Sequence, residues 1–177
     1  MKRYKEQNAD KVNAYLQEIA DIPKANIAYV DETGIDSYLY REHCYAPRGQ
    51  KVIGYISGKK YRRVGIVAAS MQKKILAPFQ YDGTMDSRLF ELWFQKCLLP
   101  VLPDKSVIVM DNAAFHRKNK LNAMAQSSGH SVLFLPPYSP ELNPIENFWA
   151  WLKLKLRNSL IRFSFFDDAI SYCFNVV

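Results

Sequence analysis

The sequence lacks two features, many cysteines and long apolar runs, that mark small secreted proteins and membrane proteins. It has only three cysteines in 177 residues. None of them stands in a CxxC pair, so we predict neither a disulfide framework nor a cysteine-based zinc site. No apolar run approaches the roughly 20 residues that cross a bilayer, and the N-terminus lacks the apolar stretch of a secretory signal. These absences exclude a disulfide-stapled miniprotein and a membrane span, and they favour a reducing cytoplasm.

What the sequence does contain fits one soluble domain with a basic surface. Hydrophobic residues make up 49% of the chain, which excludes a disordered tail and allows an unaided hydrophobic core. The 24 Lys and Arg residues outnumber the 17 Asp and Glu residues, giving a formal net charge of +7. This balance is consistent with a polyanionic partner such as nucleic acid, although charge alone does not prove one.

Hydrophobic periodicity predicts an α/β fold with a mixed central sheet and helices on both faces. Apolar residues at helical spacing predict helices over residues 9–20, 86–99, 117–128, 144–157 and 164–175. The first half also favours an antiparallel series of strands at residues 27–30, 37–40, 51–56, 62–70 and 74–80. In the second half, short apolar runs predict two fully buried strands at residues 106–110 and 131–135.

Two of the predicted buried strands end in an acid, Asp31 and Asp111. Ligands of open α/β sheets bind at the carboxyl ends of strands, where a desolvated carboxylate needs a compensating cation. The alternative is that each aspartate only starts a turn by hydrogen bonding to the backbone two residues on. Glu32 follows Asp31 and, if the strand continues, faces the opposite side of the sheet, so we do not predict it as a ligand.

A third acid, Glu146, follows a stiff segment with four prolines within nine residues, 136–144. Asn143 is the predicted N-cap of the next helix and Pro144 its first residue, which places Glu146 where a capping box needs a Glu. Capping is therefore a sufficient structural explanation. The functional alternative is that the prolines fix the direction of Glu146 towards the two aspartates.

Three carboxylates with few nearby cations would suit a hard divalent metal. Mg²⁺ prefers oxygen ligands and is typically held by carboxylates together with substrate phosphates. Two such ions about 3.5–4 Å apart can activate an attacking oxygen and stabilise a leaving one, as on a DNA phosphodiester. Paired carboxylates also serve glycoside hydrolysis, but a basic chain gives that interpretation no support.

Three segments together resemble the catalytic core of Tc/mariner-superfamily transposases, in the bacterial insertion-sequence branch. They are residues 30–34 (VDETG), 110–116 (MDNAAFH) and 136–149 (PPYSPELNPIENFW), with 34 residues between Asp111 and Glu146. The resemblance implies a ribonuclease H-like fold, with Asp31, Asp111 and Glu146 as catalytic metal ligands for Mg²⁺ or Mn²⁺, as two ions. It also implies hydrolysis at the ends of the element, followed by attack of the freed 3′-hydroxyl on target DNA.

The resemblance also implies partners. Relatives carry a helix-turn-helix region before the catalytic core, whereas here residues 1–23 have room for one helix. We therefore expect 1–23 to be the remnant of a linker to a DNA-binding region, and 24–177 to be the catalytic domain of a split gene or a truncated copy. The expected partners are double-stranded DNA of transposon ends and target, an upstream helix-turn-helix polypeptide or domain, and a second copy in the DNA complex. The expected location is the nucleoid of a bacterial cytoplasm, with no membrane partner.

Basic residues supply candidate DNA contacts. Seven basic residues and one acid, Glu42, lie between Arg41 and Arg63, with tyrosines interleaved. A phosphate-binding surface is one interpretation and a solvated hairpin face is the other. The candidate DNA-contact residues are Arg48, Lys51, Lys59, Lys60, Arg62, Arg63, His116, Lys153 and Arg157. His116 is alternatively a structural hydrogen-bonding residue, and Asn112 and Asn147 are candidates for hydrogen bonds that support the site.

Two other functions remain open at this point. The chain is alternatively a degenerate, non-catalytic DNA-binding remnant of a transposase, or another ribonuclease H-like nuclease such as a junction resolvase. Metal-dependent nicking of transposon ends would exclude the non-catalytic remnant. A preference for cutting branched junctions would indicate the junction resolvase.

Overall fold

A computed structural model describes residues 5–40 and 45–175 of the chain, so that Arg41, Glu42 and Cys44 lie outside the described residues. Within the described part, five strands form a single sheet. The strands are β1 (Ile27–Asp36), β2 (Arg63–Met71), β3 (Lys74–Asp82), β4 (Val107–Met110) and β5 (Ser131–Phe134). The five α-helices found there are α1 (Ala9–Ala20), α2 (Ser87–Trp93), α3 (Lys118–Ser127), α4 (Ile145–Ser159) and α5 (Phe166–Asn175).

The sheet is mixed, and its strand order is β3-β2-β1-β4-β5. β1, β2 and β3 pair antiparallel, as consecutive strands joined by short turns can. β4 and β5 run parallel to β1, and helical connections precede β4 and β5. The predicted α/β architecture with a mixed central sheet is therefore present.

Helices cover both faces of the sheet. On one face, α2 and α3 pack over the sheet through Phe90, Trp93 and Leu121. On the other face, α4 and α5 pack through Trp149, Leu152 and a set of buried residues that includes Ile170. Each strand therefore contributes side chains to both covered faces, because successive side chains of a strand point to opposite faces.

The first helix packs against the sheet. Asn8 caps α1 by accepting a hydrogen bond from the Lys11 backbone N–H, which satisfies one of the free donors at a helix start. Tyr15 is buried with Ile27, Val109 and Leu135. The predicted helix over residues 9–20 is confirmed, and it covers the part of the sheet where β1 and β4 meet.

An ion cluster around the buried Glu91 carboxylate, with two half-exposed cations, fastens α2 to the start of α3. The Glu91 side chain is 7% exposed, and Arg117 holds both of its oxygens with two hydrogen bonds of 2.6 Å. The Lys120 ammonium lies 2.6 Å from the same carboxylate. Burial opposes ionisation, but these two cations outweigh it and lower the pKa of Glu91.

Several predicted strands differ from the structure. Residues 37–40 and 51–56 are not strands, and Val52 and Ile53 lie exposed in the long connection between β1 and β2. Their apolar pattern suits a strand, but no strand in the described part of the chain pairs with them. β5 is an edge strand that is only partly buried, not the fully buried strand that its sequence predicts.

The helix predicted over residues 86–99 changes character after its second turn. α2 ends at Trp93, and the chain continues as a π-helical turn over Phe94–Leu98 and a short 3₁₀ turn over Leu99–Val101. The end of α3 agrees with the sequence, since Gly129 adopts a φ of +78° there, a conformation that glycine tolerates best. No helix within the described ranges combines the length and apolar character needed to cross a bilayer.

Candidate active site

The parallel pairing of β1 with β4 brings the two aspartates side by side. Tyr29 pairs with Val109, and each aspartate lies two residues further along the chain, Asp31 within β1 and Asp111 just after β4. Because side chains alternate with a period of two, Asp31 and Asp111 project from the same face of the sheet. β4 ends at Met110, as expected, but β1 continues through Asp36, and Asp31 pairs with Ala68. The expectation that the strand ends at Asp31 is therefore wrong.

The three predicted acids line one cavity of about 410 Å³. No Lys, Arg or His is among the described residues that line it. Glu146 reaches the cavity from the first turn of α4. The lining residues are Asp31, Asp111, Leu135, Pro136, Tyr138, Ser139, Pro140, Asn143 and Glu146.

The capping explanation for Glu146 is wrong. The residue before α4 is Pro144, which has no side-chain cap. The Asn143 side chain is buried and donates a hydrogen bond of 3.3 Å to the Val30 carbonyl oxygen instead. Asn143 therefore ties the entry of α4 to β1 beside Asp31, and Glu146 is exposed to the cavity without a capping role.

Asp31 carries the largest electrostatic perturbation of the three acids. Burial raises its pKa to about 7, and the nearby carboxylates Glu146 and Glu32 contribute to the rise. The Trp149 indole N–H donates a hydrogen bond of 3.0 Å to Asp31 Oδ2, which partly opposes this effect. The sequence predicts only a packing role for Trp149, although its spacing of three residues from Glu146 places both on neighbouring positions of the helix surface.

Asp111 has the opposite shift because a histidine contacts it. His116 Nδ1 lies 3.2 Å from Asp111 Oδ1, and the Ala113 backbone N–H donates to the same oxygen at 3.0 Å. Burial opposes ionisation, but these hydrogen bonds outweigh it and lower the pKa of Asp111.

His116 is buried between two carboxylates. Its side chain is 1% exposed, and its Nε2 atom lies 3.5 Å from Glu32 Oε1. Burial would lower the pKa of His116, but hydrogen bonds with Asp111 and Glu32 raise it to about 9. The prediction that His116 contacts DNA is wrong, because its side chain has almost no exposed surface. Glu32 faces away from Asp31, as alternation predicts.

Comparison with known proteins places this site in a family. The profile of the family described as DDE superfamily endonuclease matches residues 26–168, most of the chain. The chain belongs to this family. A curated relative, the uncharacterized protein y4pE/y4sA of Sinorhizobium fredii, is 35% identical over 68 residues, which cover 38% of this chain and 47% of the relative.

Solved structures share the fold of this DDE domain. The Mos1 transposase paired-end complex with left transposon end matches with a TM-score of 0.65 and 17% identity, over 88% of this chain and 52% of that chain. The mariner Mos1 paired end complex with Mg matches with a TM-score of 0.64 and 15% identity, over 99% of this chain and 63% of that chain. The resemblance to a Tc/mariner-type DDE transposase domain and the ribonuclease H-like fold are therefore confirmed. The DDE domain spans about half the length of the proteins it matches.

The donor chemistry of the DDE cavity fits a divalent metal. Within the described residues, no three His, Cys, Asp or Glu side chains are already gathered as a metal site. The three carboxylates nevertheless supply only oxygen ligands, which Mg²⁺ and Mn²⁺ accept. Burial is the main cause of the raised pKa of Asp31, and the nearby carboxylates Glu146 and Glu32 add to it; a dication would offset the charge of these carboxylates.

The candidate DNA-contact residues of the DDE domain fall into two groups. Arg62 forms ion pairs with Asp82 and Asp167, and Arg63 lies 3.8 Å from Asp36, so protein carboxylates already offset their charges. Apart from His116, the other basic candidates have no acidic partner within the described ranges. Of these, Arg157 donates to the Tyr40 carbonyl oxygen, while the exposed members are Arg48, Lys51, Lys59, Lys60 and Lys153.

The two candidate supporting asparagines differ. The Asn112 side chain donates to the Leu135 carbonyl oxygen and so joins the ends of β4 and β5 beside the cavity. Asn147 is exposed, and its side chain has no hydrogen bond within the described ranges. Tyr138 also lines the cavity. Its backbone has a strained φ of +59°.

Proposed function

We propose that this chain is the catalytic core of a transposase that cleaves DNA and transfers strands with the help of divalent metal ions. The observation that carries the proposal is the convergence of Asp31, Asp111 and Glu146 on one cavity whose described lining has no basic residue. Support also comes from the DDE endonuclease family and from the Mos1 fold. The bacterial insertion-sequence branch remains part of this proposal.

Asp31, Asp111 and Glu146 would hold Mg²⁺ or Mn²⁺, as two ions. When bound, the ions would activate the attacking oxygen and offset charge on the phosphate. The Trp149 indole orients Asp31, and Asn143 fixes the start of the helix that bears Glu146. The protein has little covalent chemistry to perform, because the reaction requires chiefly that phosphate, nucleophile and metal be positioned.

Exposed basic residues would hold the DNA backbone near this cavity. Arg48, Lys51, Lys59 and Lys60 lie in the connection between β1 and β2, and Lys153 lies on α4 two turns after Glu146. Contacts from Lys and Arg to phosphates are independent of sequence and weaken with salt. We therefore propose double-stranded DNA as the substrate, while recognition of particular ends would come from a helix-turn-helix partner. A second copy in the DNA complex and a place in the bacterial nucleoid complete the proposal.

The test is nicking of a transposon-end duplex with Mg²⁺ or Mn²⁺. Asp111→Asn is expected to slow cleavage by about 1,000-fold or more, because losing one metal ligand removes several kcal/mol of transition-state stabilisation. Asp104→Asn is the matched control, because it makes the same change at an exposed position just before the other end of β4. Its cleavage rate should equal that of the unmodified chain.

Two results would contradict the proposal. DNA binding without metal-dependent cleavage would indicate a non-catalytic remnant. Faster cutting of branched junctions than of transposon ends would indicate a resolvase-like nuclease.

A further inference from the structure

His116 connects two acids that lie on different strands. Its Nδ1 atom faces Asp111 Oδ1 at 3.2 Å and the Asp111 backbone carbonyl oxygen at 3.2 Å. On the opposite edge of the ring, Nε2 faces Glu32 Oε1 at 3.5 Å. Both atoms are buried, and neither has a hydrogen-bond partner within the described ranges, so the contact between them is electrostatic.

The surroundings of the ring leave it little freedom. The Phe90 and Phe115 rings lie with their centroids 4.3 Å and 4.4 Å from the His116 ring. Aromatic packing of this kind restricts a buried side chain to one orientation. Glu32 has no Lys or Arg partner in the described part of the chain, so the His116 ring is the basic group that meets it there.

This arrangement divides the roles of the two Asp111 oxygens. Oδ1 accepts a hydrogen bond from the Ala113 backbone N–H and forms an ion-pair contact with His116 Nδ1. Oδ2 has no hydrogen bond within the described ranges, and the Asp111 side chain remains 49% exposed where it lines the cavity. One oxygen is thus held by the protein, and the other is left for an external ligand.

We infer that His116 and Glu32 are positioning residues, with Glu32 holding the His116 ring and the ring holding Asp111 so that Oδ2 faces the cavity. The inference rests on the proposed role of Asp111 as a metal ligand. Hydrogen bonds of this kind orient metal-binding carboxylates, and their loss typically weakens metal affinity by about 10–100-fold. Glu32 therefore acts on the site without touching it.

Titration of the full chain with Mn²⁺, with free Mn²⁺ counted by electron paramagnetic resonance, tests the inference without any measurement of activity. His116→Gln keeps an amide near the Nε2 position but removes the donor to Asp111, and it should weaken Mn²⁺ binding by about 10–100-fold. His116→Asn places its amide near the Nδ1 position, so it should bind Mn²⁺ within about threefold of the unmodified chain.

The role of Glu32 is tested by a double-mutant cycle. Glu32→Gln should weaken Mn²⁺ binding by about 10-fold in the unmodified chain and have no further effect in the His116→Gln background. Glu91→Gln is the matched control, since Glu91 is another buried carboxylate that pairs with cations. It should lower stability and leave the affinity for Mn²⁺ unchanged.

Crystal structures of the metal-free His116→Gln and unmodified chains give a second, independent measurement. We expect the Asp111 carboxylate of the His116→Gln variant to be rotated relative to its orientation in the unmodified chain. Unchanged Mn²⁺ affinity in His116→Gln, additive effects in the cycle or an unmoved Asp111 would overturn it. If the unmodified chain binds no Mn²⁺, the proposed function fails, and the rotation of Asp111 alone then decides whether His116 positions it.

Discussion

Two clusters of carboxylates in this domain differ in how their charges are offset. On α2, the single carboxylate of Glu91 meets two cations, Arg117 and Lys120, and its pKa falls. In the cavity, burial raises the pKa of Asp31 to about 7, the carboxylates Glu146 and Glu32 add to the rise, and the neutral Trp149 indole donates a hydrogen bond to it. In the first cluster, cations of the protein itself offset the charge of the carboxylate. The second carries an excess of negative charge, which marks it as a place where a cation from outside the chain would bind.

The largest expected effect is a difference in stability between two isosteric changes. Glu91→Gln should lower the free energy of unfolding by about 2–3 kcal/mol, because it breaks charge-assisted hydrogen bonds to a buried carboxylate. Glu146→Gln should leave the free energy of unfolding unchanged or raise it slightly, because it removes repulsion from Asp31. Urea unfolding at pH 7 with a chelator present measures both. Equal losses in the two variants would show that the clusters do not differ.

The second prediction concerns the pH dependence of stability. Folded Asp31 has a pKa of about 7, above the unfolded value of 3.8, so between these pH values the folded state binds more protons. Its contribution to the free energy of unfolding should therefore fall as the pH rises from 4 to 7, by on the order of 2 kcal/mol. The Glu91 pKa is lowered, so its contribution is present above 4.5 and is lost as the pH falls further.

Differences between variants isolate the two groups. Urea unfolding should show that Asp31→Asn removes the fall in the free energy of unfolding between pH 4 and 7. Glu91→Gln should remove part of the loss in the free energy of unfolding below pH 4.5. The assignment is wrong if Asp31→Asn leaves the slope between pH 4 and 7 unchanged.

The smallest expected effect separates a packing role of Trp149 from its hydrogen bond. Trp149→Phe keeps a buried ring but removes the donor to Asp31, which should cost about 1 kcal/mol and raise the Asp31 pKa further. Trp93→Phe is the control, because the Trp93 indole donates to the Ala77 carbonyl oxygen at 2.8 Å. Carboxyl-carbon NMR titration should show a changed Asp31 pKa in Trp149→Phe and not in Trp93→Phe.

The sequence predicts those parts of the fold that local patterns determine. β2, β3 and α5 follow from apolar runs and helical spacing, because β2 is buried on both faces and the apolar residues of β3 and α5 pack against the core. The segment 51–56 has a suitable pattern but is no strand, since a strand also requires a partner at hydrogen-bonding distance. Asp31 is preceded by a strand and followed by turn-forming residues, yet pairing with β2 carries the strand through it.

The site shows the same division. Its three acids are candidates because two follow predicted strands and one follows the proline-rich segment, and the resemblance to Tc/mariner transposases implies their role as metal ligands. The partners that orient them could not, because each is distant in sequence or has a closer local explanation. Asn143 has the position of a cap but bonds to Val30, and His116 meets Glu32 across 84 residues of chain. A single histidine gives no sign of such a partner.

The hydrogen bond from Asn143 to the Val30 carbonyl has a consequence for how this domain could diversify. The acceptor is a main-chain atom, so no side-chain replacement at position 30 can abolish it. With α4 anchored there, the exposed positions Tyr138 and Pro140 of the cavity wall can change their surface chemistry while Glu146 stays in place. If the domain cleaves DNA as proposed, substrate preference and cleavage rate could then evolve separately.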